Sequence, residues 1–99
     1  MIYSTEPTIT LSMIIDAGIL SPGIKVYSVM NKQITGILNS DGSITLKIKD
    51  EIKNFPFPSG AARAIENRSL NGWIYWQVLD SGEYRDLGFF REIFSKRNK

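Results

Sequence analysis

The sequence predicts a single small α+β domain: a mainly antiparallel sheet of about four strands with short helices packed on it, in the order α-β-β-β-α-β-α. Three observations carry this expectation. From position 44, Ile44, Leu46 and Ile48 alternate with Thr45, Lys47 and Lys49, the period of a strand with one buried and one wet face. Ser21-Pro22-Gly23 and Ser40-Asp41-Gly42-Ser43 are strong turn signals at short spacing. Apolar residues at helical spacing stand near both ends, as Leu11, Ile14 and Ile15 and again as Leu87, Phe90, Ile93 and Phe94. With 99 residues there is material for one core, so one domain is expected over 1–99.

Thr10 is the expected N-cap of the first helix, and Gly18 supplies the left-handed position that ends it. In Ser21-Pro22-Gly23, Pro22 fixes φ and Gly23 accepts a positive one, which is a type II turn. Strands are expected over 24–30 and 33–39, with Asn31-Lys32 as a tight hairpin loop between them. The third strand follows the Asp41-Gly42 turn. Phe55-Pro56-Phe57-Pro58 is an extended breaker leading to a second helix over about 59–66, whose small residues Gly60, Ala61, Ala62 and Ala64 let it lie close to a sheet. Leu70-Asn71-Gly72 reads as a turn, 73–79 as the fourth strand and 80–83 as a loop. A last helix covers about 86–96, with Gly88 costing it about 1 kcal/mol relative to Ala.

Composition narrows the function. There is no Cys and no His, so disulfides, thiolate or imidazole metal sites and the usual Ser-His or Cys-His nucleophiles are all excluded. No metal or cofactor is expected, and the balance points to a binding module. Twelve Lys+Arg against ten Asp+Glu give a net charge of +2. The segment from Arg91 to the end holds Arg91, Lys96, Arg97 and Lys99 against Glu92, a local +3, so the rest of the chain is net −1. Residues 92–99 are therefore read as a basic tail. No run reaches the ~18 apolar residues of a membrane span, and Met1-Ile2-Tyr3-Ser4-Thr5-Glu6 lacks the pattern of a signal peptide. The expected compartment is the cytoplasm, or the nucleus in a eukaryote.

Four tracts in one order carry a resemblance: Gly18-Ile19-Leu20-Ser21-Pro22-Gly23, Leu38-Asn39-Ser40-Asp41-Gly42-Ser43-Ile44, Pro58-Ser59-Gly60-Ala61-Ala62, and Asn71-Gly72-Trp73-Ile74-Tyr75-Trp76. Together with Leu87 and Arg91 they resemble the RAMA domain (restriction enzyme adenine methylase associated) and related small domains with an SPSxAA…NGWxxW pattern, over about residues 10–91. The resemblance implies a non-catalytic accessory module found beside adenine methyltransferases, restriction enzymes, other defence proteins and chromatin-type proteins. It implies double-stranded DNA as the partner, with adenine methylation as a feature to be sensed. Phe57 stands where the family has the first serine of Ser-Pro-Ser, which removes a capping or phosphate-binding hydroxyl.

The residues expected to contact DNA are Ser59, Arg63, Asn71, Trp73, Arg91, Lys96 and Arg97. Ser59 at a helix start is either an ordinary N-cap or a phosphate site with the helix amides. Arg63 lies one turn further on. Asn71 either closes a turn by an Asx bond or reads an adenine edge. On a strand, Trp73 and Trp76 point to opposite faces; Trp76 shares the apolar face of Ile74 and Val78 and belongs to the core. Trp73, on the face of Tyr75 and Gln77, either packs under the last helix or stacks on a base or sugar. Lys47 and Lys49 form a cationic strand face, either solvated edge protection or phosphate contacts. Asp41 with Glu51-Ile52-Lys53 has the order of a metal-dependent nuclease, but Asp41 is better explained by its turn and the chain is too short for such a core. The competing function is a protein-interaction module that docks onto a methyltransferase or restriction subunit without touching DNA.

Overall fold

The computed structural model describes residues 9–97; Met1 to Glu6 and Lys99 lie outside them. Thr10 caps helix α1 (Leu11–Asp16) as expected, its Oγ1 accepting the Met13 amide at 3.2 Å. Leu11, Ile14 and Ile15 turn inward. Gly18 and Gly23 both take positive φ after it, where the sequence places a helix stop and a turn.

Strands β1 (Lys25–Ser28), β2 (Thr35–Leu38) and β3 (Ile44–Ile48) pair antiparallel in sequence order. The link between the first two is longer than the expected Asn31-Lys32 loop. Ser28 Oγ accepts the amides of Met30 and Asn31 at 3.1 and 3.3 Å, and Asn31 Oδ1 accepts that of Gln33 at 2.9 Å. These local side-chain bonds end β1 early by giving its backbone an alternative to the ladder.

Lys49 does not continue β3. Lys49 and Asp50 take φ of 52° and 67° and form a two-residue hairpin, Ile48 opposite Glu51, into β4 (Glu51–Phe55). This strand is absent from the expected order because its turn contains no glycine or asparagine and its residues, on a sheet edge, have no apolar alternation.

Helix α2 (Pro58–Glu66) buries Pro58, Ala61 and Ala62 and starts one residue earlier than expected. The segment expected as one strand over 73–79 divides into a helical turn, α3 (Gly72–Tyr75), and β5 (Trp76–Asp80). Asn71 decides this: its Oδ1 accepts the Trp73 amide at 3.0 Å, and its carbonyl accepts those of Ile74 and Tyr75 at 3.1 and 3.0 Å. The cap outweighs the β preference of Trp, Ile and Tyr. Ile74 is consequently 56% exposed and not in the core, and Tyr75 is buried and not on Trp73's face. Trp76 is fully buried, as expected.

The loop at 80–83 is a tight hairpin with Ser81 and Gly82 at positive φ, and it leads into β6 (Glu83–Asp86), a further unexpected strand. Helix α4 (Leu87–Arg97) follows directly, with Asp86 Oδ1 accepting the Phe89 amide at 2.9 Å. The result is a six-stranded antiparallel sheet in the order β4-β3-β2-β1-β5-β6 with helices on one face, an α+β domain with six strands and not four. Val26, Leu38, Ile44, Leu46, Trp76 and Val78 from the inner sheet face form the core with Leu87 and Phe90 of α4 and the alanines of α2. Among the described residues, no helix is long and apolar enough to cross a membrane.

Candidate functional site

The start of α2 is joined to α3 and the first residue of β5 by two hydrogen bonds, each between a side chain and a backbone group. Trp76 Nε1 donates to the Pro58 carbonyl at 3.0 Å, and the Gly72 amide donates to Ser59 Oγ at 3.0 Å. A Cβ on Gly72 would collide with the Pro58 carbonyl group and the Ser59 amide, so this position requires glycine for close approach. Tyr75 continues the lock, its hydroxyl donating to Glu66 Oε2 at 2.6 Å. Burial and that carboxylate push the Tyr75 hydroxyl pKa up to about 12.

This lock presents Trp73 at the surface. Half-buried against the core, Trp73 carries the Arg91 guanidinium over its ring, 4.6 Å from the centroid. The expected packing under the last helix and the expected surface position thus coexist: α4 covers the indole through an arginine. Trp73 also lines a cleft of about 580 Å³ between the start of α1, the β2–β3 turn and the start of α2. Leu11, Pro56, Phe57 and Pro58 make its walls largely apolar.

Ser59 lines the same cleft, but it is not the N-cap of α2. That position is Phe57, which makes no side-chain capping bond; a serine or asparagine there would add about 1 kcal/mol. Ser59 instead accepts from Gly72, and its hydroxyl hydrogen remains available as a donor. Arg63 is exposed one turn along α2, beside a shallow depression that it shares with Ser59, Gly60, Ser69 and Leu70. Asn71 is exposed; its Oδ1 is engaged in the cap of α3, which leaves Nδ2 as the outward donor. Ser59 and Trp73 thus line one cleft, Arg91 stacks on Trp73, Arg63 shares a second depression with Ser59, and Asn71 caps α3.

Lys96 and Arg97 are exposed in the last turn of α4. At about 100° per residue they sit roughly 140° and 240° around the helix from Arg91, so they do not extend its face. Their ordinary role is to offset the negative end of the helix dipole.

Among the described residues that line the cleft, Asp41 is the one acidic group. Its Oδ1 accepts from Ser43 Oγ at 2.6 Å and Ser43 N at 2.9 Å, and these bonds hold the carboxyl below the usual carboxylate range. It does not meet Glu51. Asp41 lies before β3 and Glu51 pairs with its last residue, Ile48, so the two carboxylates are separated by the length of a five-residue strand, ~13 Å. Glu51 pairs with Lys53 at 3.8 Å. Among the described residues, no group of three or more acidic, His or Cys side chains is placed to hold a metal ion.

The residue that sequence reasoning passes over is Phe57. Legible in the sequence only as the loss of a hydroxyl, it is 67% exposed at the cleft. A large aromatic side chain held between Pro56 and Pro58, at a position suited to a polar cap, is the available signal.

A family model described as Restriction Enzyme Adenine Methylase Associated matches residues 3–99 of the chain. No curated protein matches it.

Proposed function

Because the chain belongs to the RAMA family, we propose that it is a non-catalytic accessory module that binds double-stranded DNA in the service of an adenine methyltransferase or restriction enzyme. The observation that carries this reading is the Arg91 guanidinium stacked 4.6 Å from the Trp73 ring, beside the start of α2. A guanidinium held on an aromatic face is fixed in orientation yet keeps its N–H edge for a phosphate. Arg63 adds a second exposed cation, and the Ser59 hydroxyl and Asn71 Nδ2 add neutral donors of the kind that fix a protein on a duplex. Lys96 and Arg97 contribute a general field from the far end of α4. Adenine methylation is the feature this surface senses, with Trp73 as the contact for the added methyl group.

Titration of labelled duplexes, methylated at adenine or unmethylated, across salt concentrations tests this. Binding that weakens steeply with salt supports DNA contact, and tighter binding of the methylated duplex supports sensing. Absence of binding at low salt sinks the reading.

A second reading, docking onto the enzyme itself, is favoured by the outer sheet face. Ile37, Leu79 and Tyr84 are exposed there, with Leu79 directly opposite Tyr84. Lys32 nevertheless stands 4.8 Å from the Tyr84 ring, so the patch is not free of cations. A Leu79→Asp variant that keeps DNA affinity and loses the enzyme partner would assign docking to this face.

A further inference from the structure

Resting on the DNA-binding reading, we propose that the cleft takes a nucleobase displaced from the duplex stack, one bearing an exocyclic amino group, with Phe57 and Trp73 as its apolar contacts and Asp41 as its hydrogen-bond acceptor. The volume of about 580 Å³ lies within the range of small-molecule sites, about 300–1,000 Å³, and the lining is apolar with few polar groups, as such sites are. Phe57 stands 67% exposed at the capping position of α2 without capping it, so neither the core nor the helix accounts for its aromatic ring. A planar base supplies the surface that would cover it.

Charge selects the occupant further. Asp41 is an ionised, acceptor-only group in the lining, so its side of the cleft favours an N–H donor. Oδ1 is fixed by Ser43, and Oδ2 has no partner among the described residues. An exocyclic amine matches that oxygen, whereas thymine has no such group. Arg91 stacks on the Trp73 ring and is not among the cleft's lining residues, whereas Asp41 is: the cation serves the backbone and the anion the base edge. Extrusion places a base out of the stack while its phosphates stay on the outside.

The test uses the full chain and short duplexes carrying 2-aminopurine at a mismatched position, where extrusion is easiest. The expected result is a several-fold rise in 2-aminopurine fluorescence on saturation with protein. Phe57→Ser, which restores a capping hydroxyl and so protects the fold, should abolish the rise while retaining most of the duplex affinity at low salt. Asp41→Asn keeps a side-chain oxygen for the Ser43 turn and should reduce the rise. Salt-dependent duplex binding with no fluorescence change, or a rise that persists unaltered in Phe57→Ser, overturns the cleft proposal and leaves DNA binding standing. No duplex binding at any salt overturns both.

Discussion

The indole N–H of Trp76 donates to the backbone carbonyl of Pro58 at 3.0 Å, joining two segments eighteen residues apart in the buried interior. Beside it, Ser59 accepts from Gly72. The Pro-Ser and Asn-Gly-Trp tracts are therefore two halves of one joint. Their residue types follow from it: an indole to reach a carbonyl, a hydroxyl to take an amide, and a glycine to allow the approach.

Trp76→Phe keeps most of the apolar volume and leaves the Pro58 carbonyl without its buried donor. The expected cost is about 1–3 kcal/mol. Trp76→Ala adds a cavity and should cost about 3–5 kcal/mol. Urea unfolding followed by circular dichroism measures both.

Gly72→Ala forces a methyl group into the Pro58–Ser59 backbone, which has no flexible side chain to yield. Destabilisation of about 1–3 kcal/mol or more is expected, from overpacking. Ser59→Ala removes only the acceptor for the Gly72 amide and should cost about 1 kcal/mol. If Gly72→Ala proves the milder change, the joint is not as close as described.

Stability should fall at both extremes of pH. Tyr75 has its folded pKa raised to about 12 from an ordinary 10.0, by burial first and then by Glu66. Its contribution is fully present below pH 10 and is lost as pH rises towards 12. Asp41 has its folded pKa lowered below 3.8, chiefly by the Ser43 hydroxyl, so its contribution is present above that value and lost as pH falls beneath it. Thermal melts of Tyr75→Phe should lose the alkaline slope, and those of Asp41→Ala the acid one.

Lys96→Ala with Arg97→Ala removes two charges from the end of α4, off the Arg91 face. Duplex affinity should fall less than for Arg91→Ala alone. Helix stability should drop by about 0.3–1 kcal/mol for each cation removed. Melting curves and duplex titrations of the same variant separate these effects.

The sheet is legible where side chains alternate and turns carry glycine, as in Ile44, Leu46 and Ile48 after Asp41-Gly42. It is illegible at β4, whose turn is Lys49-Asp50 and whose edge position requires no apolar pattern. The tract 73–79 misleads because β propensity ignores a side-chain cap: the Asn71 bond to Trp73 winds the first residues into a turn. Trp76 falls in the core on either reading, since both local structures bury it. For the site, residue chemistry singles out Trp73 and Arg91 separately, but their stacking depends on how α4 crosses α3, which no local pattern encodes. Phe57 reads as an absence in the sequence because its exposure is a tertiary property.

In the proposed function, the Trp73–Arg91 surface contacts DNA phosphate. That contact is tested most directly by the slope of log K against log salt for duplex binding, wild type beside a folded Arg91→Ala variant. Arg91→Ala should bind more weakly and with a slope shallower by about 1, because one phosphate fewer is neutralised. An Arg91→Ala protein that melts like the wild type and binds with unchanged affinity and slope would contradict that contact.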